Sequence, residues 1–136
     1  MQIDPIHPDG WAPAKGYANG VLVSGEVRWL SVAGQIAWDA DQNLVGTGDF
    51  VAQFDQALAN VVAVVEAAGG TPGHVVEMTV YVTDKELYTA ALRDVGASWR
   101  ERMGRHYPAM ALVQVADLLE PGALVEIQAR AALPAR

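Results

Sequence analysis

Val75-Val76-Glu77-Met78-Thr79-Val80-Tyr81-Val82-Thr83-Asp84 is the stretch that decides the architecture. Successive side chains of a strand point to opposite faces. Val76, Met78, Val80 and Val82 therefore share an apolar face, while Glu77, Thr79, Tyr81 and Thr83 share the other. That pattern belongs to a strand covered on one side only. Asp84 or Thr83 then offers a side-chain oxygen to cap a helix. The spacing predicts that helix over 85–103, with Tyr88, Leu92, Val95, Trp99 and Met103 as its stripe. Gly96 in its middle costs ~1 kcal/mol relative to alanine.

Working upstream, residues 49–68 read as a second helix. Val51, Phe54, Leu58, Val61, Val62 and Val65 recur at three- and four-residue steps, with Gln53, Gln56 and Asn60 on the other face. Thr47 and Asp49 are the candidate caps, and Gly69-Gly70 ends the helix. Further strands are expected over 16–23, 28–38, 109–118 and 123–129. Residues 1–15, with Pro5, Pro8 and Pro13, read as an irregular lead-in. In the last strand Val125 and Ile127 oppose Glu126 and Gln128. In 109–118, Val113 and Val115 are expected toward the helices, with Met110, Leu112 and Gln114 facing away. The expectation is one α+β domain over 1–136, in which two helices pack on one face of a mixed five- to six-stranded sheet. The uncovered face would then carry Met110, Leu112, Tyr81, Trp29 and Glu126, a surface apolar enough to predict self-association.

Composition narrows the function classes. At 136 residues the chain can bury one core. Sixteen acids against nine bases give a net charge of −7, without the clustered Lys/Arg that neutralises phosphates, so no nucleic-acid partner is expected. No apolar run reaches the ~20 residues needed to span a bilayer, and no signal-like segment opens the sequence. A cytoplasmic protein without membrane attachment is the expectation. The absence of cysteine removes disulfides, thiolate metal sites and cysteine nucleophiles. His7, His74 and His106 have no metal-ligand spacing, and no phosphate-cradling glycine loop is present, so neither metal nor cofactor is expected.

Tyr107-Pro108-Ala109-Met110 resembles the Tyr/Phe-Pro-Ala-Arg signature of the RidA (YjgF, endoribonuclease L-PSP-like) family of imine deaminases. The resemblance extends from Tyr17 to Ala131. Val32-Ala33-Gly34-Gln35-Ile36 is similar to the family's Ser-Gly-Gln-Ile strand, and Val80-Tyr81-Val82-Thr83-Asp84 to its strand ending in Asp. Val125-Glu126-Ile127-Gln128-Ala129 is similar to its last strand. The resemblance implies the chorismate-mutase-like α+β fold and a homotrimer with a small-molecule cleft at each subunit boundary. In the deaminases an arginine holds the substrate carboxylate and a glutamate positions the attacking water. Carried over, the glutamate is Glu126 and a pocket tyrosine is Tyr17. The arginine position holds Met110, a serine position Ala33, an asparagine position Leu92, and a position often occupied by cysteine Leu112.

Losing a charge-assisted hydrogen bond of ~1.5–3 kcal/mol weakens an anionic substrate by roughly 10- to 150-fold. Desolvating a carboxylate against Met110 and Leu112 adds to that penalty. Lys15 and Arg130 are the candidates to restore a cation, though spacing requires neither. The leading expectation is a RidA-like homotrimer that binds, and hydrolyses if active, a neutral or weakly charged enamine- or imine-like metabolite, with Glu126 catalytic. Its alternative is a non-catalytic ligand-binding or regulatory trimer. A true 2-iminobutanoate/2-iminopropanoate-type deaminase ranks third.

Overall fold

The computed structural model describes residues 1–136. In chain order these form β1 (Gln2–Ile6), β2 (Gly20–Ser24), β3 (Val27–Gln35), α1 (Phe50–Ala67) and β4 (Val75–Val82). Then follow α2 (Lys85–Ala90), α3 (Leu92–Met103), β5 (Ala109–Gln114) and β6 (Val125–Pro134). The main sheet has the order β3-β6-β4-β5, with β6 antiparallel to both β3 and β4, and β5 parallel to β4. Strands β3 and β4 are thus parallel to each other. The crossovers β3-α1-β4 and β4-α2-α3-β5 step in the same direction along the sheet. Right-handed crossovers stepping the same way lay their helices on the same face. One core results, between that face and the helices, with Leu58, Val61, Met78, Val80, Val82, Val125, Ile127 and Leu133 fully enclosed.

Six strands form, but not in a single sheet. The expected lead-in is partly strand: β1 pairs antiparallel with β2 in a separate two-stranded ribbon. Pro5 is tolerated because β1 has only one neighbour and the missing N–H need not enter a ladder. The predicted helix over 85–103 breaks at Ala91, which leaves the helical region at φ −112° and ψ 18°. The predicted strand over 109–118 ends at Gln114, and the last strand runs on to Pro134 because β3 continues beside it. Asp49 caps α1 through Ala52 N, and Asp84 caps α2 through Glu86 N.

The main correction concerns β5. Its parallel register pairs Met110 with Met78 and Leu112 with Val80, so both point to the helical side. Val113 pairs with Tyr81 and faces away, the reverse of the expected parity. Alternation could not decide this, because Ala109-Met110-Ala111-Leu112-Val113 is apolar on both faces. The helical stripes are instead buried by β3, β4 and β6, leaving β5 as an edge that supplies only Met110 to the core margin.

By length and composition α1 is apolar enough to cross a bilayer, yet its packing is that of a core helix. Phe50, Phe54, Ala57, Leu58, Val61 and Val65 are buried under the sheet. Its amides, expected on a polar face, are tied to loops. Gln56 and Asn60 donate to the carbonyl of Trp38, and Asn60 also to that of Ile36.

Helices α1 and α3 are joined by a two-pronged ion pair. Arg102 Nη2 lies 2.8 Å from Asp55 Oδ2 and its Nε 3.1 Å from Oδ1, while the Ser98 hydroxyl donates to Oδ1 at 2.7 Å. Arg102 holds the Asp55 carboxyl below the ordinary value of 3.8, with Ser98 assisting against partial desolvation. A depressed folded-state value means the stabilisation is full above pH 3.8 and lost as pH falls through the lower folded value. Asp55→Asn should therefore lower Tm at about pH 7 modestly, since both groups are over one-third exposed and screened. The wild-type advantage should shrink in acid. A Tm gap that stayed constant down to about pH 2 would assign the effect to packing instead.

Candidate functional site

Between β5 and α3 lies a cavity of about 340 Å³. Its floor is apolar and buried, built from Phe54 of α1, Val80 of β4, and Val95 and Trp99 of α3. Met110 closes the sheet side, while the exposed Tyr17, Leu92 and Leu112 form the mouth. Four of the positions singled out in the sequence, Tyr17, Leu92, Met110 and Leu112, thus converge here.

Local bonding explains the convergence. The Ala18 N–H donates to the Pro108 carbonyl at 3.0 Å, and Ala18 bridges Ala109, which brings the loop bearing Tyr17 alongside β5. On the other side Trp99 stacks on Tyr107 with ring centroids 5.8 Å apart and planes within 3°. Trp99 Nε1 donates to the His106 carbonyl at 3.0 Å, and His106 Nε2 contacts the Val75 carbonyl at 2.6 Å. Donation to a carbonyl fixes the proton on that nitrogen. The two bonds pin the segment between α3 and β5, one to α3 and the other to β4.

Sequence reasoning missed Tyr88, Tyr107, Phe54 and Val80 as wall residues. Tyr88 packs edge-on against Phe50 at 6.4 Å, and burial raises its phenol above the usual range. Its place on the helical stripe gave it a core reading; the break at Ala91 is what opens the stripe onto a cavity.

Glu126 and Ala33 stand elsewhere. Glu126 on β6 pairs with Tyr81 of β4 and points, like Tyr81 and Gln128, away from the helices. It is two strands from β5 and on the opposite face from Met110, so the two cannot meet within one chain. Around Glu126 the backbone is specialised. Between Val32 and Gln35 the β3 register slips against β6, placing an extra residue at Ala33-Gly34. A Cβ on Gly34 would lie 2.8 Å from Glu126 Cδ and Oε2, so glycine there makes room for the carboxylate. The same face carries Arg130, whose guanidinium lies 5.5 Å over the Trp29 ring. Arg130 is therefore remote from the cavity, whereas Lys15 lines it.

A larger, shallower hollow of about 590 Å³ lies behind Tyr17 and Tyr107, which line both spaces. It contains His7, Arg105 and His106. His7 is held by Asn19 and the Trp11 carbonyl, each at 3.1 Å. No three His, Asp or Glu side chains converge anywhere in the chain.

Known proteins share this arrangement of sheet and helices. The family model described as endoribonuclease L-PSP matches residues 9–133. The chain is similar to YyfB of Yersinia pestis, a Rid-family protein of unknown function, at 34% identity and a TM-score of 0.83, covering 98% of this chain and 100% of that one. RidA of an Antarctic Psychrobacter is 30% identical at a TM-score of 0.66, over 96% and 99% of the two chains. The YjgF product of E. coli is 32% identical at 0.64, over 85% and 86%. A mixed sheet with its helices on one face, matched from end to end at that identity, makes this chain a member of the Rid (YjgF, endoribonuclease L-PSP) family.

Proposed function

We propose that the protein is a homotrimer whose subunit boundaries form clefts for a small molecule with an apolar, uncharged inner end. The observation that carries this reading is the division of the candidate site between two faces of one subunit. The cavity at Met110 opens beside the outer edge of β5, which no strand covers beyond the Ala18–Ala109 bridge, and Glu126 is displayed on the far side of the sheet. In the proposed assembly, Glu126 of the partner subunit faces the cavity and positions a water against an imine or enamine carbon. An edge strand exposing Leu112 and Val113 is also a surface that proteins rarely leave open. The apolar floor and the −7 charge favour a small molecule over RNA.

A second reading, a ligand-binding or regulatory trimer without turnover, draws support from Met110 and from Ala33, which has no hydroxyl to offer. Sedimentation at micromolar concentration is the test of assembly: three chains are expected, and a stable monomer rules out the cleft. Met110→Arg separates the two readings. Gain of activity on a 2-aminoacrylate-type substrate indicates a surviving water-handling apparatus, and no gain in an intact trimer favours pure binding.

A further inference from the structure

The cavity's charge is asymmetric. Of the thirteen lining residues that one chain supplies, Lys15 is the only Lys, Arg, Asp, Glu or His. The one carboxylate of the proposed cleft, Glu126 of the partner subunit, thus comes from across the boundary, and the carboxylate-binding end must lie at Lys15, away from it. Lys15 is exposed at the mouth, whereas Phe54, Val80, Val95 and Trp99 at the floor are buried. Its ammonium has no partner in the chain, where the one ion pair joins Asp55 to Arg102. Five of the lining residues, Tyr17, Phe54, Tyr88, Trp99 and Tyr107, are aromatic, and rings stack or meet edge-on with other rings at about 4.5–7 Å.

We propose that Lys15 is the specificity residue of this cavity, and that the ligand is an aryl-substituted monoanion. Its ring enters toward Trp99 and Met110, and its carboxylate stays at the mouth against the Lys15 ammonium. This assignment rests on the cleft reading above and adds the ligand's class and direction of entry. It also resolves a conflict: an anion is costly at the apolar floor but not at the rim, where water still solvates part of it. An ammonium at a partly solvated rim discriminates less than a buried guanidinium, so a moderate effect is expected.

The probes are 4-phenylbutyrate and its neutral isostere 4-phenylbutanamide, titrated calorimetrically into the assembled 136-residue chain. The carboxylate should bind about tenfold more tightly at low ionic strength, between the values typical of exposed and charge-assisted pairs. That preference should fall as salt is added. Lys15→Met keeps most of the apolar stem but removes the charge, and should bring the ratio to about one by weakening the carboxylate. Its Tm should match wild type, since the side chain makes no hydrogen bond. Equal binding of the two probes to wild type, or a preference that survives Lys15→Met, overturns the role of Lys15 while leaving the cleft intact. Failure of both probes to bind, in wild type and variant alike, overturns this assignment and counts against the cleft as well.

Discussion

Gln53→Leu should destabilise the chain by about 2–4 kcal/mol, the largest single effect expected from a polar side chain here. Gln53 is 0% exposed. Its Nε2 donates to the carbonyls of Gly46 and Gly122 at 3.2 and 3.0 Å, and its Oε1 accepts from the Leu124 N–H at 2.8 Å. One amide thus joins the loop before α1 to the loop before β6. Leucine has a similar size but leaves a donor and two acceptors without partners, and each orphaned buried group costs about 1–3 kcal/mol. Relaxation and water recover part of that, hence the range. For a domain of this size such a loss lowers Tm by roughly 8–15 °C. Denaturant unfolding with an unchanged slope would measure it. A loss below about 1 kcal/mol would mean that the two loops do not depend on Gln53. The variant should also loosen the start of β6, immediately before Glu126.

In the catalytic reading of the cleft, Glu126→Gln should abolish turnover while leaving assembly and ligand affinity close to wild type. The amide keeps the shape that Gly34 accommodates but cannot accept a proton from water. General-base catalysis contributes about 10²–10⁴-fold, so the residual rate should fall by at least that lower factor. A carboxylate that merely braces a subunit contact would behave differently: the variant would shift the trimer's Tm and leave the rate unchanged. Parallel measurement of rate, Tm and affinity on this one variant separates the two roles. Undiminished turnover would falsify the catalytic assignment.

Much of this was legible in the sequence, and the exceptions have physical causes. Strand β4 could be oriented because Glu77 and Thr79 oppose Met78 and Val80, and β6 because Glu126 and Gln128 oppose Val125 and Ile127. Asp49 and Asp84 announced two helix starts through their capping oxygens. Strand β5 carried no such contrast, so its facing had to come from pairing with β4. That single step moved Met110 and Leu112 to the helical side, into company with Tyr17 and Leu92, and left Glu126 on the other. Tyr88 and Tyr107 were illegible as wall residues because their roles depend on the break at Ala91 and on the stacking of Trp99. Gln53 read as a solvent-facing residue because periodicity describes one helix and knows nothing of loops folding over it. The pairing of β1 with β2 was hidden by Pro5, which an outer strand accommodates, and by Pro8 and Pro13 beyond it.

The separation of Met110 and Glu126 onto opposite faces has a consequence for stoichiometry. Any contact that unites them uses two different patches, one donated by each neighbour, and is therefore head-to-tail. Contacts of that kind either close into a ring or continue as a filament. A ring holds as many complete sites as subunits, an open dimer holds one, and a lone chain holds none. Dissociation on dilution would then remove every site without unfolding a single chain, so specific activity itself would become concentration-dependent. A subunit carrying Glu126→Gln mixed with one carrying a blocked cavity would restore some complete sites, because each defect lies on a different half.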